Sequence, residues 1–357
     1  MSVIGKNIKF TIFGDSHGPY IGGVLENIKP GLEIDFNELE KFMGRRKSGK
    51  KFTSKRIETD EVNFLSGMDN NICQGIPIGF IIKNKNQNSS DYDNLKDIPR
   101  PSHADYTSFV KYKGFSPKKG GGYFSGRLSA AMCLAGFFAL TELKTYGIKI
   151  YSHLASLGKV SDKDYREITG EEFEILKYLD IPMADEISRL EASKEIEKLI
   201  IERDSVGSSI RCFVRGVDPG YGGNLFDNLR GEISKYIFSI PGTCGIDFGS
   251  GFSAIESYGS INNDSFYWEN GKVKTRTNNS GGIQGGITNG MDIVFRVAFK
   301  PTASIGKKEE TVNLIKKTSE EINIKGRHDV CIGLRALPVV ESLTALCILD
   351  LVKNERI

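Results

Sequence analysis

Two stretches of this sequence have no polar face. From Ser125 to Tyr146, the residues Leu128, Ala131, Leu134, Ala135, Phe138 and Leu143 populate most sides of a helix, and Gly147 offers a stop. Leu337 to Val352 is similar, with Pro338 near its start and Val339, Val340, Leu343, Leu346, Ile348, Leu349 and Leu351 following. A helix that is apolar nearly all round has to be buried on every side. The expectation is therefore two helices in the interior, covered by sheets. Candidate strands are present: Ile8–Phe13, Ile21–Leu25, Ile210–Val217 and Asp292–Phe299 carry alternating or apolar patterns. Asp35 is placed to cap a helix over roughly residues 36–44, and an amphipathic helix is expected near 185–203. The polar segment Asn84–Pro99 reads as a loop.

At 357 residues the chain is long enough for two domains of roughly 150 residues each, or for one large core. No low-complexity linker divides it, so residues 1–357 are read as one domain. A faint repeat runs at an offset of 200. Pro19, Gly22, Gly23, Leu25 and Gly31 match Pro219, Gly222, Gly223, Leu225 and Gly231. A true repeat would mean two pseudo-equivalent halves sharing one core.

Composition narrows the function classes. Hydrophobic residues make up 39% and charged residues 26%, an ordinary globular balance. No run approaches the roughly 20 apolar residues of a membrane span, and Met1–Lys6 carries no apolar leader. A cytoplasmic protein with no membrane partner is expected. The six cysteines show no Cys-x-x-Cys spacing and read as buried thiols. Net charge is only +3, but Arg45, Arg46, Lys47, Lys50, Lys51, Lys55 and Arg56 form a basic run. That run suits a polyanion surface or a loop closing over a phosphorylated substrate. Only Phe52 interleaves it, so a nucleic-acid binder is the weaker reading, and salt-sensitive oligonucleotide binding would reveal one. The 40 glycines cluster at 22–23, 120–122, 222–223, 281–282 and 285–286, as in a backbone-walled site or a set of tight turns.

Three of the four histidines lie in loop-like contexts: Gly14-Asp15-Ser16-His17-Gly18, Arg100-Pro101-Ser102-His103-Ala104-Asp105-Tyr106 and Gly326-Arg327-His328-Asp329. Such histidines are candidates for general acid–base work, whereas His153 sits in a strand-like context and reads as structural. No His-x-x-x-His pair or carboxylate–histidine set supports a metal. Neither a nucleophile elbow nor a dinucleotide or P-loop fingerprint is present. Gly120-Gly121-Gly122, followed by Ser125 and Arg127 at a helix start, would suit an anion. Lys300-Pro301-Thr302-Ala303-Ser304 after a strand offers a cation, hydroxyls and a rigid turn.

Together these segments resemble the chorismate synthase family. The first two histidine segments resemble its Gly-Glu-Ser-His-Gly and Arg-Pro-Gly-His-Ala-Asp-Tyr signatures. Gly326–Asp329 through Arg335–Glu341 resembles its C-terminal signature, and Gly281–Gly290 and Lys300–Thr302 match two further blocks. The resemblance implies an α+β fold, with central helices sandwiched between antiparallel β-sheets, assembled as a homotetramer that eliminates phosphate from 5-enolpyruvylshikimate 3-phosphate to give chorismate, the last step of the shikimate pathway. This is an anti-1,4-elimination that requires reduced FMN without net redox change. It implies His17 beside the leaving phosphate and His103 near the flavin. Asp329 would relay the proton, with the flavin N5 as the immediate base, supported by Ser16 and Ser125. Arg46, Lys51, Arg127 and Arg335 would meet the anionic substrate, which needs a cationic pocket. Tyr123, Phe124, Ser125, Arg127, Gly242, Gly285, Lys300–Ser304 and Arg327 would hold the cofactor. The chain departs from the family pattern in four places. Lys47-Ser48 stands for Pro-Gly, and Lys51 for an arginine. Tyr123–Ser129 stands for a block that carries one more arginine, serine and glutamate, and Pro241-Gly242 stands for Asn-Ala. A competing reading is a flavin-dependent reductase drawing on NADP-type nicotinamide, against which the missing dinucleotide fingerprint speaks; another is a degenerate family member with altered chemistry, given the departures at Tyr123–Ser129 and Pro241.

Overall fold

In the computed structural model the described residues are 2–54, 59–85, 97–117, 120–324 and 328–355. The first half of the chain runs β1 (Val3–Ile4), β2 (Phe10–Gly14), β3 (Tyr20–Leu25), α1 (Phe36–Arg46), β4 (Val62–Phe64), the small pair β5 (Met68–Asp69) and β6 (Ile72–Cys73), β7 (Ile78–Lys83), α2 (Asp105–Lys111) and α3 (Ser129–Thr145). The second half runs β8 (Lys149–Leu157), β9 (Val160–Ser161), α4 (Gly170–Leu176), α5 (Glu186–Glu202), β10 (Ser208–Arg215), α6 (Leu229–Ile237), β11 (Thr243–Phe248) and α7 (Gly259–Asn262). The hairpins β12 (Phe266–Glu269)–β13 (Lys272–Thr275) and β14 (Ile283–Gln284)–β15 (Ile287–Thr288) follow. Then come β16 (Ile293–Phe299), the hairpin β17 (Lys308–Asn313)–β18 (Thr318–Asn323), and α8 (Gly333–Glu355).

Two five-stranded antiparallel sheets form, in the orders β1-β2-β3-β7-β4 and β11-β16-β10-β8-β9. Between them lie α3 and α8, the two helices without a polar face. Thirteen of the seventeen α3 residues are buried. The window Gly126–Thr145 is in fact long and apolar enough to cross a membrane, but 78% of it is buried in the protein interior. Bulk, not lipid, satisfies its surface.

The helices pack in parallel. Met132 and Val339 reach the same cavity, Gly136 lies against Ser342, and Lys353 pairs with Glu142 at 2.8 Å. Close approach explains Gly136: a Cβ there would come 2.1 Å from the Ser342 Cβ. The last helix starts at Gly333, four residues before the expected Leu337, so Pro338 sits inside it rather than at its first turn. The Ser125 start of α3 is likewise corrected: Gly126–Leu128 is a 3₁₀ turn, and the α-helix begins at Ser129.

Both halves use one plan. Two strands, a helix, two more strands and a long buried helix follow in order, and each sheet places its four main strands as first, second, fourth, third. The counterpart of β3 is therefore β10, and that of α3 is α8. The glycines that suggested the repeat are not equivalent, however. Gly22 and Gly23 lie inside β3, where rings of Phe13 and Phe10 pack over them, while Gly222 sits in the loop after β10 at φ +111°. The duplication is carried by topology, not by those residues.

Local signals fix α1. Asp35 accepts from the Asn37 and Glu38 amides, and Arg45 and Arg46 occupy the negative end of the helix dipole. Leu39, Phe42, Met43 and Arg46 form its buried stripe. His153 is structural, as expected: its Nδ1 lies 2.8 Å from Asp162 in a buried pair. Five cysteines are buried and Cys244 is exposed.

Candidate active site

Because α3 and α8 run parallel, their positive N-terminal ends open at one place, and a cavity of about 710 Å³ lies there. Ile4, Phe10, Ile12, Leu128, Met132 and Val339 give it an apolar floor. Among the described residues, Arg46, Arg100, Arg127, Lys300 and Arg335 line it against one carboxylate, Asp329. The volume falls in the range of small-molecule sites, and the excess of cations selects anions.

Each charged group is held. Arg46 Nη2 donates to Asp60 Oδ2 at 2.6 Å, and Arg127 Nη1 donates to Asp60 Oδ1. Burial alone would raise the Asp60 carboxyl; the two guanidiniums outweigh it and bring it down to about 2. Arg127 Nε also donates to Asn84 Oδ1 at 2.9 Å. Arg335 Nη1 donates to Asp329 Oδ2 at 2.7 Å, and its Nε donates to the Arg46 carbonyl at 2.8 Å. The Ser54 amide donates to Asp329 Oδ1 at 2.8 Å, which ties the 48–54 loop to the site. Thr302 Oγ1 donates to the Asp329 carbonyl at 2.7 Å.

His103 is oriented by Asp105, whose Oδ1 lies 2.6 Å from its Nδ1. Arg100 grips the same carboxylate through its backbone amide, Nε and Nη2, and reaches Ser304 Oγ at 3.2 Å and the Gly120 carbonyl at 3.0 Å. Burial opposes ionisation of Asp105, but hydrogen bonds from Arg100 and His103 prevail and hold it well below the usual carboxylate range. An ionised Asp105 only accepts, so His103 Nδ1 carries the proton and Nε2 is the nitrogen left to act. Ser102, one residue earlier, stands at φ +57°, a conformation that favours glycine. Its carbonyl accepts from Lys300 Nζ.

Of the expected residues, Arg46, His103, Tyr123, Phe124, Ser125, Arg127, Gly242, Lys300, Pro301, Thr302, Ala303, Ser304, Asp329 and Arg335 line the cavity. Four do not. Lys51 points outward, its Nζ 3.9 Å from Glu197 and 4.7 Å over the Phe52 ring, because the loop turns its side chain to solvent. Gly285 is in the β14–β15 turn, which serves the hairpin rather than the cavity. His17 and Ser16 are absent from the lining; His17 packs against Gly120, whose added Cβ would come 2.0 Å from the imidazole, and Ser16 Oγ is 3.0 Å from His17 Nδ1. Arg327 lies outside the described residues. The basic run is not a solvated face at its start: Arg45 makes a two-point pair with buried Glu341, and Arg46 is buried on Asp60.

Sequence reasoning missed Ser54, Asp60, Asn84 and the Arg100–Asp105 clamp. Arg100 and Asp105 were visible inside the His103 segment. Asp60 gave no signal, since an aspartate between Thr59 and Glu61 looks like surface.

Comparison with known proteins identifies the family and the fold. The chorismate synthase family model matches residues 8–352. A chorismate synthase of Parabacteroides distasonis is 42% identical over 355 residues, covering 98% of this chain and 97% of that protein. One from Thermococcus kodakarensis is 39% identical over 353 residues, covering 99% and 98%. A crystal structure of chorismate synthase superposes with TM-score 0.77 at 25% identity, covering 99% of this chain and 93% of the other. With the helix-end cavity, its cations and its oriented histidine in the same chain, the protein belongs to the chorismate synthase family.

Proposed function

We propose that the cavity at the joined ends of α3 and α8 is where this lyase of the shikimate pathway removes phosphate from 5-enolpyruvylshikimate 3-phosphate to form chorismate. The observation that carries the assignment of the site is the cationic wall of Arg46, Arg127 and Arg335 above an apolar floor. A substrate with one phosphate and two carboxylates requires such a wall, and helix N-termini add to it.

The residues present also fit reduced FMN. Gly242, at φ +91°, is a cradle: a Cβ there would come 2.5 Å from Ile332 Cδ1. Tyr123 and Phe124 supply aromatic edges, while Ser125, Arg127 and the Lys300–Ser304 turn supply polar and cationic contacts for a ring carrying a phosphate tail. When bound, the reduced flavin would supply electron density that eases departure of phosphate and would end the cycle unchanged. Arg46, Arg127 and Arg335 would orient the substrate and take up charge as it develops on the leaving group. His103, its Nδ1 proton fixed on Asp105, would offer Nε2 to the cofactor side. Asp329, held by Arg335 and Ser54, would take part in moving the ring proton. The role of His17 as donor to the leaving phosphate is kept as a proposal, acting from its place against Gly120.

We also read the protein as a cytoplasmic homotetramer without nucleic-acid or membrane partners. Exposed Phe226, Phe252, Tyr258 and Trp268, and the face of the first sheet that is uncovered among the described residues, support assembly with further copies. Light scattering of the purified protein tests the copy number.

The reaction is tested anaerobically with the phosphorylated substrate and chemically reduced FMN, following phosphate and chorismate together. Equal amounts, only with reduced flavin, are expected. Steady oxidation of a nicotinamide without chorismate would favour the reductase reading instead. His17→Ala should cut turnover roughly a hundredfold; near-normal turnover would remove His17 and leave the cavity-lining His103 and His328 as the acid–base candidates.

A further inference from the structure

We propose that Asp60 is a positioning residue: one buried carboxylate that sets the Arg46 and Arg127 guanidiniums as a pair for an incoming phosphate. The inference rests on the reading of the cavity given above and adds a residue that does not touch it. Asp60 precedes β4, is absent from the cavity wall, and has a side chain with 0% exposure. Its two oxygens are divided, Oδ2 to Arg46 and Oδ1 to Arg127.

Two guanidiniums on one wall repel each other unless an anion lies between or behind them. Asp60 is that anion, and it is part of the chain. The pair is therefore assembled before phosphate arrives, and the cost of ordering two long side chains is met in folding rather than in binding. The backbone shows the constraint. Asp60 holds φ +48°, a region that aspartate tolerates but most residues avoid. Lys47 Nζ donates to the Thr59 carbonyl at 3.0 Å, so the Asp60 turn is tied to the end of α1, the helix that carries Arg46. The Arg46 carbonyl accepts from Arg335, and Arg335 holds Asp329. A shift at Asp60 would thus reach both walls. Its carboxyl stays ionised over any working pH, so its effect is constant and does not titrate with activity.

The test uses the full chain. Asp60→Asn keeps the size and the tolerance of positive φ but removes the charge. Asp60→Glu keeps the charge and moves it by one methylene. Calorimetric binding of inorganic phosphate, with KM and kcat for the phosphorylated substrate, should show affinity weakened roughly tenfold or more in Asp60→Asn. KM should rise by the same factor, and Asp60→Glu should fall in between. The midpoints of the pH–rate profile should not move. A lowered Tm with phosphate affinity and KM unchanged would overturn the proposal. If Asp60→Asn does not fold, Asp60→Glu decides by the same measurements; if neither folds, the carboxylate serves the fold alone and the proposal falls. Phosphate binding does not depend on turnover. A wild-type protein that binds phosphate through this pair yet makes no chorismate would sink the proposed reaction and leave the positioning role standing.

Discussion

The two sheets share a strand order but not an environment. The outer face of the second sheet is covered. The segment between β8 and β10 lays α4 over it, and Tyr151, Ile168, Phe173, Leu176, Phe213 and Val294 form a satellite core there. Among the described residues, the outer face of the first sheet has no such cover. Val3 is 48% exposed and Phe13 43%, with Thr11, Val24 and Ile81 half-buried on the same side. The segment between β8 and β10 thus closes one repeat, and the other presents an apolar surface among the described residues.

The strongest challenge to the idea of two halves on one core is Gly136→Leu, at the α3–α8 crossing. It should abolish folding of both halves together, since a side chain there would meet the Ser342 backbone. A surviving half, seen as a protease-resistant fragment or a second unfolding transition, would show that the cores are separate. Next, Phe213→Ala should cost about 3 kcal/mol by emptying the satellite core. Phe13→Ala on the open face should cost under about 1 kcal/mol in the monomer and weaken association instead. Equal losses in denaturant titrations would erase the contrast between the sheets.

Acid sharpens it further. The Asp60 carboxyl titrates near 2 in the folded state against 3.8 for the ordinary group. The unfolded chain therefore binds the proton first. Roughly 2 kcal/mol of stability, present above pH 4, is lost as pH falls from about 4 toward 2. Asp60→Asn should flatten that part of the stability curve; an unchanged slope would assign the acid sensitivity to other groups. The smallest effect is Ser102→Gly, which relieves a serine at φ +57°. It should add about 0.5 kcal/mol with turnover retained. A loss of stability would mean that the serine side chain contributes more than its backbone strain removes.

Much of the fold could be read directly. The Asp35 cap, the β2, β3, β10 and β16 patterns and the two faceless helices are local signals; the cap and strands are found within a few residues of the expected places, while both helices start elsewhere, at Ser129 and Gly333. Burial of those helices follows from their composition, because only cover on every side removes their surface from water; that antiparallel sheets supply the cover was implied by the family resemblance. His103, Arg127, Asp329 and Arg335 were legible because their motifs are contiguous. Lys51 was not: charge says nothing about which way a loop side chain turns, and here it turns to Glu197.

What the sequence by itself determined was the set of elements, their apolar faces and the family signatures, since periodicity, capping and short motifs act over a few residues. What the tertiary structure alone decided was their convergence. Parallel packing of α3 and α8 brings two helix ends separated by some two hundred residues to one cavity. It also places Asp60 behind Arg46 and Arg127, and Asp105 beside His103. Such pairings depend on through-space distance and burial, and a chain read residue by residue carries neither.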